Sequence, residues 1–426
     1  MMQLSDADKR KLDGAEGPAV QHAMEHLTRM GEAFEADEMV DLHTCHLLSD
    51  YRTMGDGGLE FYEQLVEWGG KMRVPTTCDP MSMDMKNMDK FDWPAGYPEK
   101  QTRISDAFRN LGVALTFSCT PHLGHNVPKF GENMAWVEGN ATGYANSVLG
   151  ARGNREDSIT APLAGIAGRT PKIGLLDPKN RVGQCLVEID PNLVERLGGD
   201  GRRAGDFSAL GMIIGDFAYD RIPVVAGLPP NMETEELKAM CSACSPALIG
   251  TLMFLVGISP EANTVEEGFG GKVPKDVDRL WIDADTVRKA YEYLSNTSKE
   301  DVDVVMSGCP FKTIYEIQEV VEQLGDNKVK DGVNFLIHTD RVTHVLAEHM
   351  GLVDKLTNAG ALLTTDTCEY CMPIENMYGP DTVIAADSMK MRRLVAGEGK
   401  PTWRYGTLTD CVNAAITGKF RPSHWN

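Results

Sequence analysis

The sequence lacks an apolar run of the roughly 20 residues that a membrane-spanning helix needs. The longest candidate, residues 247–258, is interrupted by glycine and is better explained as a buried helix or strand. The opening residues, MMQLSDADKRKLDG, contain no apolar core of a signal peptide. We therefore expect no membrane association and a cytoplasmic location.

An excess of basic residues is also missing. There are 42 Lys and Arg against 62 Asp and Glu, a formal charge of −20, and such a field repels a nucleic-acid backbone. The 42 glycines and 22 prolines do not cluster into low-complexity stretches, and 42% of the residues are apolar. This composition is typical of a soluble globular protein and excludes nucleic acid as the expected partner.

At 426 residues, the chain is too long for one ordinary core, and we predict an α/β protein of two or three lobes. Apolar strand candidates alternate with helical stretches, which favours largely parallel sheets. The predicted lobes are residues 1–200, 201–270 and 271–426. The strand candidates are residues 112–117, 173–176, 221–226 and 302–306. The helical candidates are residues 1–40, 59–69, 232–240 and 311–324.

Three of the ten cysteines share one local context. Each of Cys119, Cys309 and Cys368 follows an apolar, strand-like run and a few small or polar residues. This places each thiol just past the carboxyl end of a predicted strand, where ligands bind in parallel α/β sheets. Pro310 suits the first turn of a helix, whose N-terminus favours a thiolate at Cys309.

Three thiolates from distant strands can hold an iron–sulfur cluster and leave one iron open to substrate. Zinc is the competing metal, because two C-x₂-C pairs are present, Cys241/Cys244 and Cys368/Cys371. The first pair lies in an apolar helical pattern. A single cysteine in an apolar run is more often a small buried hydrophobe, so both interpretations stay open at this point.

At these residues the sequence resembles the aconitase X family. The densest match is SCTPHLGHNVPKFGENMAWVEGNATGYANSVLGARGNRE, residues 118–156. The segments YRTMGDGGLEFYE, VPTTCDP, SGCP and TTDTC match in the same order, so the resemblance covers essentially the whole chain.

The resemblance implies an aconitase-like fold, with α/β lobes around a central crevice that contains the cluster. It implies a hydro-lyase with an iron–sulfur cluster, [4Fe–4S] or [2Fe–2S], on Cys119, Cys309 and Cys368. Family members also need a small swivelling domain, for which this chain has no room after its last motif. We therefore expect a separate small subunit, which in the family is thought to supply a serine as the base.

Two substrates fit the resemblance: cis-3-hydroxy-L-proline, dehydrated to pyrroline-2-carboxylate, and 5-phosphomevalonate. The motif VPTTCDP places Asp79 where a phosphate would be unwelcome if that loop faces the substrate. We therefore expect the hydroxyproline first and the phosphomevalonate as the alternative.

Further candidate site residues follow from the chemistry of their side chains. Thr76 and Thr77 follow the predicted strand KMRVP, so their hydroxyls are candidates to meet a substrate carboxylate; stabilisation of a turn is an equal explanation. Ser147 and Arg152 lie in a block rich in amides and cations, and an arginine fork binds a carboxylate. An ion pair with a neighbouring acid explains the arginine equally well.

Other interpretations were also open. His122 and His125 follow Cys119 closely, but the glycine between them predicts a loop with solvated histidines. A zinc-stabilised binding protein without chemistry of its own is the alternative of another class. A thiol redox enzyme using Cys368 and Cys371 is disfavoured, because that pair is not at a predicted helix start.

Overall fold

The computed structural model describes residues 2–198, 203–394 and 401–423. Within these residues the strands form four sheets of two, three, four and five strands. The three larger sheets are parallel throughout, and the two-stranded sheet is antiparallel. The predicted α/β class is confirmed. None of the helices in the described part combines the length and apolar character needed to cross a bilayer.

The first lobe, residues 2–180, packs helices around a three-stranded parallel sheet. Ser5 begins the first helix through a capping box with Asp8. The elements are α1 (Asp6–Leu12), α2 (Pro18–Ala33), β1 (Met39–Asp41), β2 (Thr44–Leu47), α3 (Tyr51–Glu67), β3 (Thr76–Cys78), α4 (Tyr97–Leu111), β4 (Met134–Trp136), α5 (Gly139–Tyr144), α6 (Thr160–Ala167) and β5 (Arg169–Pro171). The sheet order is β3-β2-β4, and β1 pairs with β5.

The second lobe, residues 183–294, is built on a four-stranded parallel sheet. Its elements are β6 (Cys185–Ile189), α7 (Pro191–Val194), α8 (Arg203–Ala218), β7 (Pro223–Ala226), α9 (Thr234–Cys244), β8 (Phe254–Leu255), α10 (Val265–Gly268), β9 (Asp278–Ile282) and α11 (Ala284–Leu294). The strand order is β8-β7-β6-β9. The predicted lobe boundary at residue 200 lies outside the described residues, and the boundary at residue 270 stays a prediction.

The third lobe, residues 302–423, is built on the five-stranded parallel sheet. Its elements are β10 (Val304–Ser307), α12 (Ile314–Leu324), β11 (Asn334–Thr339), α13 (Arg341–His349), α14 (Leu352–Ala359), β12 (Ala361–Thr365), α15 (Ile374–Met377), β13 (Val383–Ala386), α16 (Met389–Leu394), β14 (Thr402–Tyr405) and α17 (Leu408–Thr417). The strand order is β12-β11-β10-β13-β14. The chain order therefore reverses between β10 and β13, and ligands of open α/β sheets bind at such a switch point.

Buried charges join the second and third lobes. Lys238 of α9 donates a hydrogen bond from Nζ to the carbonyl of Phe311 at 2.8 Å and pairs with Glu316 of α12. Lys312 pairs at 2.8 Å with Asp387, which follows β13. These contacts hold the segment after β10 against both lobes.

Several predicted elements differ from the structure. Residues 112–117 contain no strand; Ala114 makes one isolated bridge with Thr77. Residues 173–176 carry a 3₁₀ turn, Gly174–Leu176, because they lie at a lobe boundary without a strand to pair with. The helix expected from residue 311 begins at Ile314, since Thr313 caps it. Pro310 therefore precedes the helix and does not lie in its first turn.

Candidate active site

Two of the three predicted thiols lie at the carboxyl end of the same sheet. Cys309 follows β10 and Cys368 follows β12, with β11 between these strands. Both residues are buried, with 8% and 5% of their surface exposed. The strand-end context read from the sequence is confirmed for this pair, and it places Cys309 at the switch point.

Cys119 reaches the same region from the first lobe without a strand before it. The carbonyl of Cys119 accepts a hydrogen bond from Asn140 Nδ2 at 2.7 Å, and its sulfur accepts one from the Phe311 amide at 3.4 Å. Cys119, Phe311, Cys368 and Cys371 pack together as one buried cluster. The prediction that Cys119 ends a strand is wrong, because side-chain and amide contacts position it instead.

The sulfurs are electrostatically linked to one another and to Lys390 of α16. Burial raises the pKa of Cys119, and the neighbouring Cys368 raises it further. Burial also raises the pKa of Cys309, against the opposing charge of Lys390. Burial alone would lower the pKa of Lys390, but Glu138, Cys309 and Cys119 outweigh it and raise that pKa. One buried cation therefore lies near two of the thiols.

Lys390 is tied to the first lobe by Glu138 and Asn140. Its Nζ donates to Glu138 Oε1 at 2.6 Å and to Asn140 Oδ1 at 2.5 Å. Burial raises the pKa of Glu138, but Lys390 outweighs this and lowers it, so the carboxyl stays ionised. Trp136 lies in β4, and Glu138 caps α5 by accepting a hydrogen bond from the Asn140 amide.

Thr76 and Thr77 lie within β3, so the strand begins where KMRVP was expected to end. The hydroxyl of Thr77 lies 2.8 Å from His46 Nδ1 and accepts a hydrogen bond from Asn126 at 3.1 Å. On its other side, His46 Nε2 is 2.9 Å from the carboxylate of Asp79. Thr77 is thus held at the end of a buried polar chain, whereas Thr76 donates to the carbonyl of Val74 at 2.9 Å.

Asp79 is a buried acid in this chain of contacts. Burial raises its pKa to about 6, repulsion by Glu138 adds to the rise, and His46 opposes it. The carboxyl therefore titrates in a mildly acidic range, and its charge near neutral pH adds to that of Glu138.

Ser147 and Arg152 are placed differently from the threonines. Ser147 is fully buried, and its hydroxyl accepts a hydrogen bond from the Met253 amide at 2.9 Å. This hydrogen bond connects the first lobe with the second. Arg152 bridges to Asn133 through its backbone, and its buried Nε has no hydrogen-bond partner. Their assignment as catalytic residues stays a prediction, as does that of Thr76 and Thr77.

Sequence reasoning missed the surroundings of two residues close to the cysteines predicted as ligands. Cys371, named above only as a member of a C-x₂-C pair, has its sulfur 3.2 Å from that of Cys368. His122, expected in a solvated loop, is buried and stacks on Tyr144 at 4.3 Å with neither ring nitrogen hydrogen-bonded. The C-x₂-C spacing could have indicated the first; no signal in the sequence pointed to the second.

The sequence of this chain matches family models and curated relatives. The aconitase X first, second and third domains match residues 1–178, 183–292 and 302–417. The phosphomevalonate dehydratase large subunit of Methanothermobacter thermautotrophicus is 32% identical, over 92% of this chain and 94% of that protein. The cis-3-hydroxy-L-proline dehydratase of Hypocrea jecorina is 30% identical, over 98% of this chain and 69% of that protein.

A solved structure agrees with these relatives. The crystal structure of Thermococcus kodakaraensis aconitase X in its holo form superimposes with a TM-score of 0.84 at 27% identity, covering 97% of this chain and all of that one. The fold and the relatives define a dehydratase, a hydro-lyase that eliminates water from its substrate. More particularly, the chain belongs to the aconitase X family.

Proposed function

We propose that this chain is the large subunit of an iron–sulfur dehydratase that removes water from a small hydroxy acid. Cys119, Cys309 and Cys368 would hold the cluster. The observation that carries the proposal is that the buried thiols of Cys119 and Cys368, from distant parts of the chain, pack in one cluster. Cys309, at the switch point of the five-stranded sheet, interacts electrostatically with Cys368.

The donor set fits an iron–sulfur cluster by its chemistry. Thiolates are the usual ligands of such clusters, and hydrogen bonds to sulfur tune them, as the Phe311 amide does for Cys119. Lys390 supplies a buried positive charge beside two of the ligands. No three His, Cys, Asp or Glu side chains of the described residues are placed to bind one metal ion. A structural zinc ion needs four such ligands around it, whereas a cluster spreads its thiolates over several irons.

A bound cluster would supply Lewis-acid activation of the departing hydroxyl. This chain's own residues do the rest of the positioning. Lys390 favours the thiolate forms of Cys119 and Cys309 by its charge. Thr77, fixed by His46 and Asn126, holds an oriented hydroxyl within β3. The base that removes the proton is expected on the small subunit.

Charge favours cis-3-hydroxy-L-proline as the substrate, with pyrroline-2-carboxylate as the product. Asp79 interacts electrostatically with Glu138. Because Lys390 pairs with Glu138, the charge of Asp79 is the one that opposes the approach of a phosphate. A zwitterionic imino acid brings one carboxylate and one cation, so it tolerates such a site better than a phosphorylated substrate does.

A second candidate is 5-phosphomevalonate, and the relatives favour it. The Methanothermobacter large subunit matches over 94% of its length, whereas the Hypocrea hydroxyproline dehydratase extends well beyond the match. The two-chain organisation of the former group is the one that we propose here.

The expected partner is a small subunit that carries the swivelling domain and closes the crevice. The names of the large-subunit relatives support it. We place the complex in the cytoplasm, because all ten cysteines of this chain lie in the described residues as buried free thiols, which suits a reducing compartment.

The test is anaerobic reconstitution of the full chain with ferrous iron and sulfide, with and without the partner. A brown protein that absorbs visible light, and that eliminates water from one of the two substrates when the partner is present, supports the proposal. Cys119→Ser, Cys309→Ser and Cys368→Ser should each lose most of the iron. Cys411→Ser, a buried cysteine of α17, is the matched control and should load normally.

Two results would contradict the proposal. One is full activity in the Cys119→Ser/Cys309→Ser double variant. The other is a colourless protein with stoichiometric zinc that resists replacement by iron and sulfide, which would favour the zinc-stabilised binding protein.

A further inference from the structure

Cys371 lies against one of the proposed cluster ligands. Its sulfur is 3.2 Å from that of Cys368, and its amide donates to the Cys368 sulfur at 3.4 Å. A disulfide needs a sulfur–sulfur distance of about 2.0 Å, so a small movement of either side chain suffices. We infer that Cys368 and Cys371 are a disulfide-forming pair, and that the bond removes Cys368 from the ligand set.

Backbone hydrogen bonds hold the two cysteines in this turn. The turn is closed by the Met372 amide, which donates to the Cys368 carbonyl at 3.1 Å. Arg52 of the first lobe anchors the turn. Its guanidinium donates a hydrogen bond to the Tyr370 carbonyl at 3.1 Å and lies over the aromatic ring of Tyr370, 5.1 Å from the ring centroid. Its guanidinium also forms a two-pronged contact with Glu375. Contacts within the chain itself therefore position the two sulfurs next to each other.

The chain contains a second pair with the same spacing that serves as a comparison. Cys241 and Cys244 are also buried, but both lie within helix α9. Residues three apart in a helix keep their Cβ atoms about 5–6 Å apart, which exceeds the roughly 3.5–4.5 Å of a disulfide. Both pairs have the C-x₂-C spacing, and only the turn geometry distinguishes Cys368 and Cys371 from the helical pair.

The oxidation is balanced with a peroxide as the oxidant. Hydrogen peroxide converts one thiol to a sulfenic acid and releases water; the second thiol then attacks that sulfur, forms the disulfide and releases a second water. The two sulfurs lose two electrons in total, and the peroxide gains them. A thiol-based reductant reverses the step by thiol–disulfide exchange.

The consequence for the site rests on the proposed function. A cysteine in a disulfide has no thiolate to offer, so oxidised chain retains only Cys119 and Cys309 as proposed ligands. Cluster assembly would then depend on prior reduction of the pair, while a bound cluster would protect Cys368 from oxidation.

The test begins with the full chain, stripped of metal and fully reduced. The protein is treated with a small excess of hydrogen peroxide, quenched with catalase, unfolded, alkylated and digested for mass spectrometry. The expected result is a disulfide between Cys368 and Cys371, while Cys241 and Cys244 are alkylated as free thiols. Free Cys368 and Cys371, or an equally oxidised helical pair, would overturn the inference.

The second readout is iron and sulfide uptake by the same samples. Oxidised wild-type chain should load as poorly as Cys368→Ser, and dithiothreitol should restore it. Cys371→Ser should load normally before and after peroxide; Cys371→Ala serves if the serine is poorly tolerated. Equal loading of oxidised and reduced wild type overturns the switch. Failure of reduced wild type to load at all would instead contradict the proposed function, and the disulfide would still be scored by mass.

Discussion

Lys390 Nζ lies 2.6 Å from Glu138 Oε1, joining helix α16 of the third lobe to the start of α5 in the first. Both side chains are largely buried, at 11% and 16% exposure. The contact therefore connects the lobe that carries Cys309 with the lobe that carries Cys119, and it sets a positive charge near both sulfurs.

Removing Lys390 should leave a buried carboxylate without its partner. We expect Lys390→Met to lower the free energy of unfolding by about 3 to 5 kcal/mol, and Lys390→Met/Glu138→Gln to recover part of that loss. Urea unfolding of the four members of this double-mutant cycle measures the coupling. Lys419→Met, which breaks the exposed pair with Asp301, should change stability by less than about 1 kcal/mol; an equal loss in both variants would argue against a special role for Lys390.

Asp50 should make the protein less stable as the pH rises. Its carboxyl begins helix α3 by accepting the Thr53 amide at 2.8 Å, but its second oxygen is buried without a partner. Burial raises the pKa of Asp50 from 3.8 to about 6, so the folded state holds the proton longer than the unfolded state. The stability from that proton is full below about pH 4 and is lost as the pH rises through about 6.

Asp50→Asn should remove this dependence and stabilise the protein at pH 7 by about 2 kcal/mol. Thermal unfolding from pH 4 to pH 8 is the measurement. The matched control is Asp283→Asn at the start of α11, where hydrogen bonds from Thr286 lower the pKa of the carboxyl. The Asp283→Asn variant should gain no stability at pH 7. If stability became independent of pH in both variants, the assignment of the pH dependence to Asp50 would be contradicted.

His122 should be replaceable by an apolar ring without a stability cost. Both of its nitrogens are buried and lack partners, and burial lowers its pKa to about 3. We expect His122→Phe to keep the stack on Tyr144 and to be neutral or stabilising by about 1 kcal/mol. His46→Phe is the contrasting variant, because both nitrogens of His46 are engaged; it should destabilise by about 1 to 3 kcal/mol. A larger loss in His122→Phe than in His46→Phe would refute this.

The His122 variant also has a pH signature. The unfolded histidine takes up a proton near pH 6.5, whereas the folded one resists until about pH 3. The free energy of unfolding of wild type should therefore fall as the pH drops from about 6.5 to 3, and His122→Phe should show a shallower fall. Equilibrium unfolding in urea at several pH values in this window gives the comparison.

Arg52 should control how long the chain retains a cluster. Arg52→Lys keeps the charge but loses the two-pronged contact with Glu375, which loosens the turn that carries Cys368 and Cys371. We expect the visible absorption of reconstituted protein to fade several-fold faster in the presence of a chelator. Arg103→Lys, which alters a similar two-pronged pair with Glu63 on the surface, should fade at the wild-type rate.

Local sequence patterns predicted the helices and strands whose caps and apolar residues lie within the element itself. Ser5 caps the first helix, which lies in the stretch predicted as helical, and the strands before Cys309 and Cys368 are buried apolar runs in a parallel sheet. The strand predicted before Cys119 failed because segment 112–117 has only one bridge to β3; an extended, apolar segment is not a strand without a partner along its length.

The α/β class, the family and the three cysteines proposed as ligands could be predicted from the amino-acid sequence, since these depend on local periodicity and on long matched motifs. Three features became visible only in the folded chain: Cys371 lies against Cys368, Lys390 of α16 reaches Glu138, and the ring nitrogens of His122 are buried without hydrogen-bond partners. Such contacts depend on the directions in which turns and lobes present their side chains, and spacing along the chain does not encode them. Cys241 and Cys244 have the same spacing as Cys368 and Cys371, yet a helix separates the first pair and a turn brings the second together.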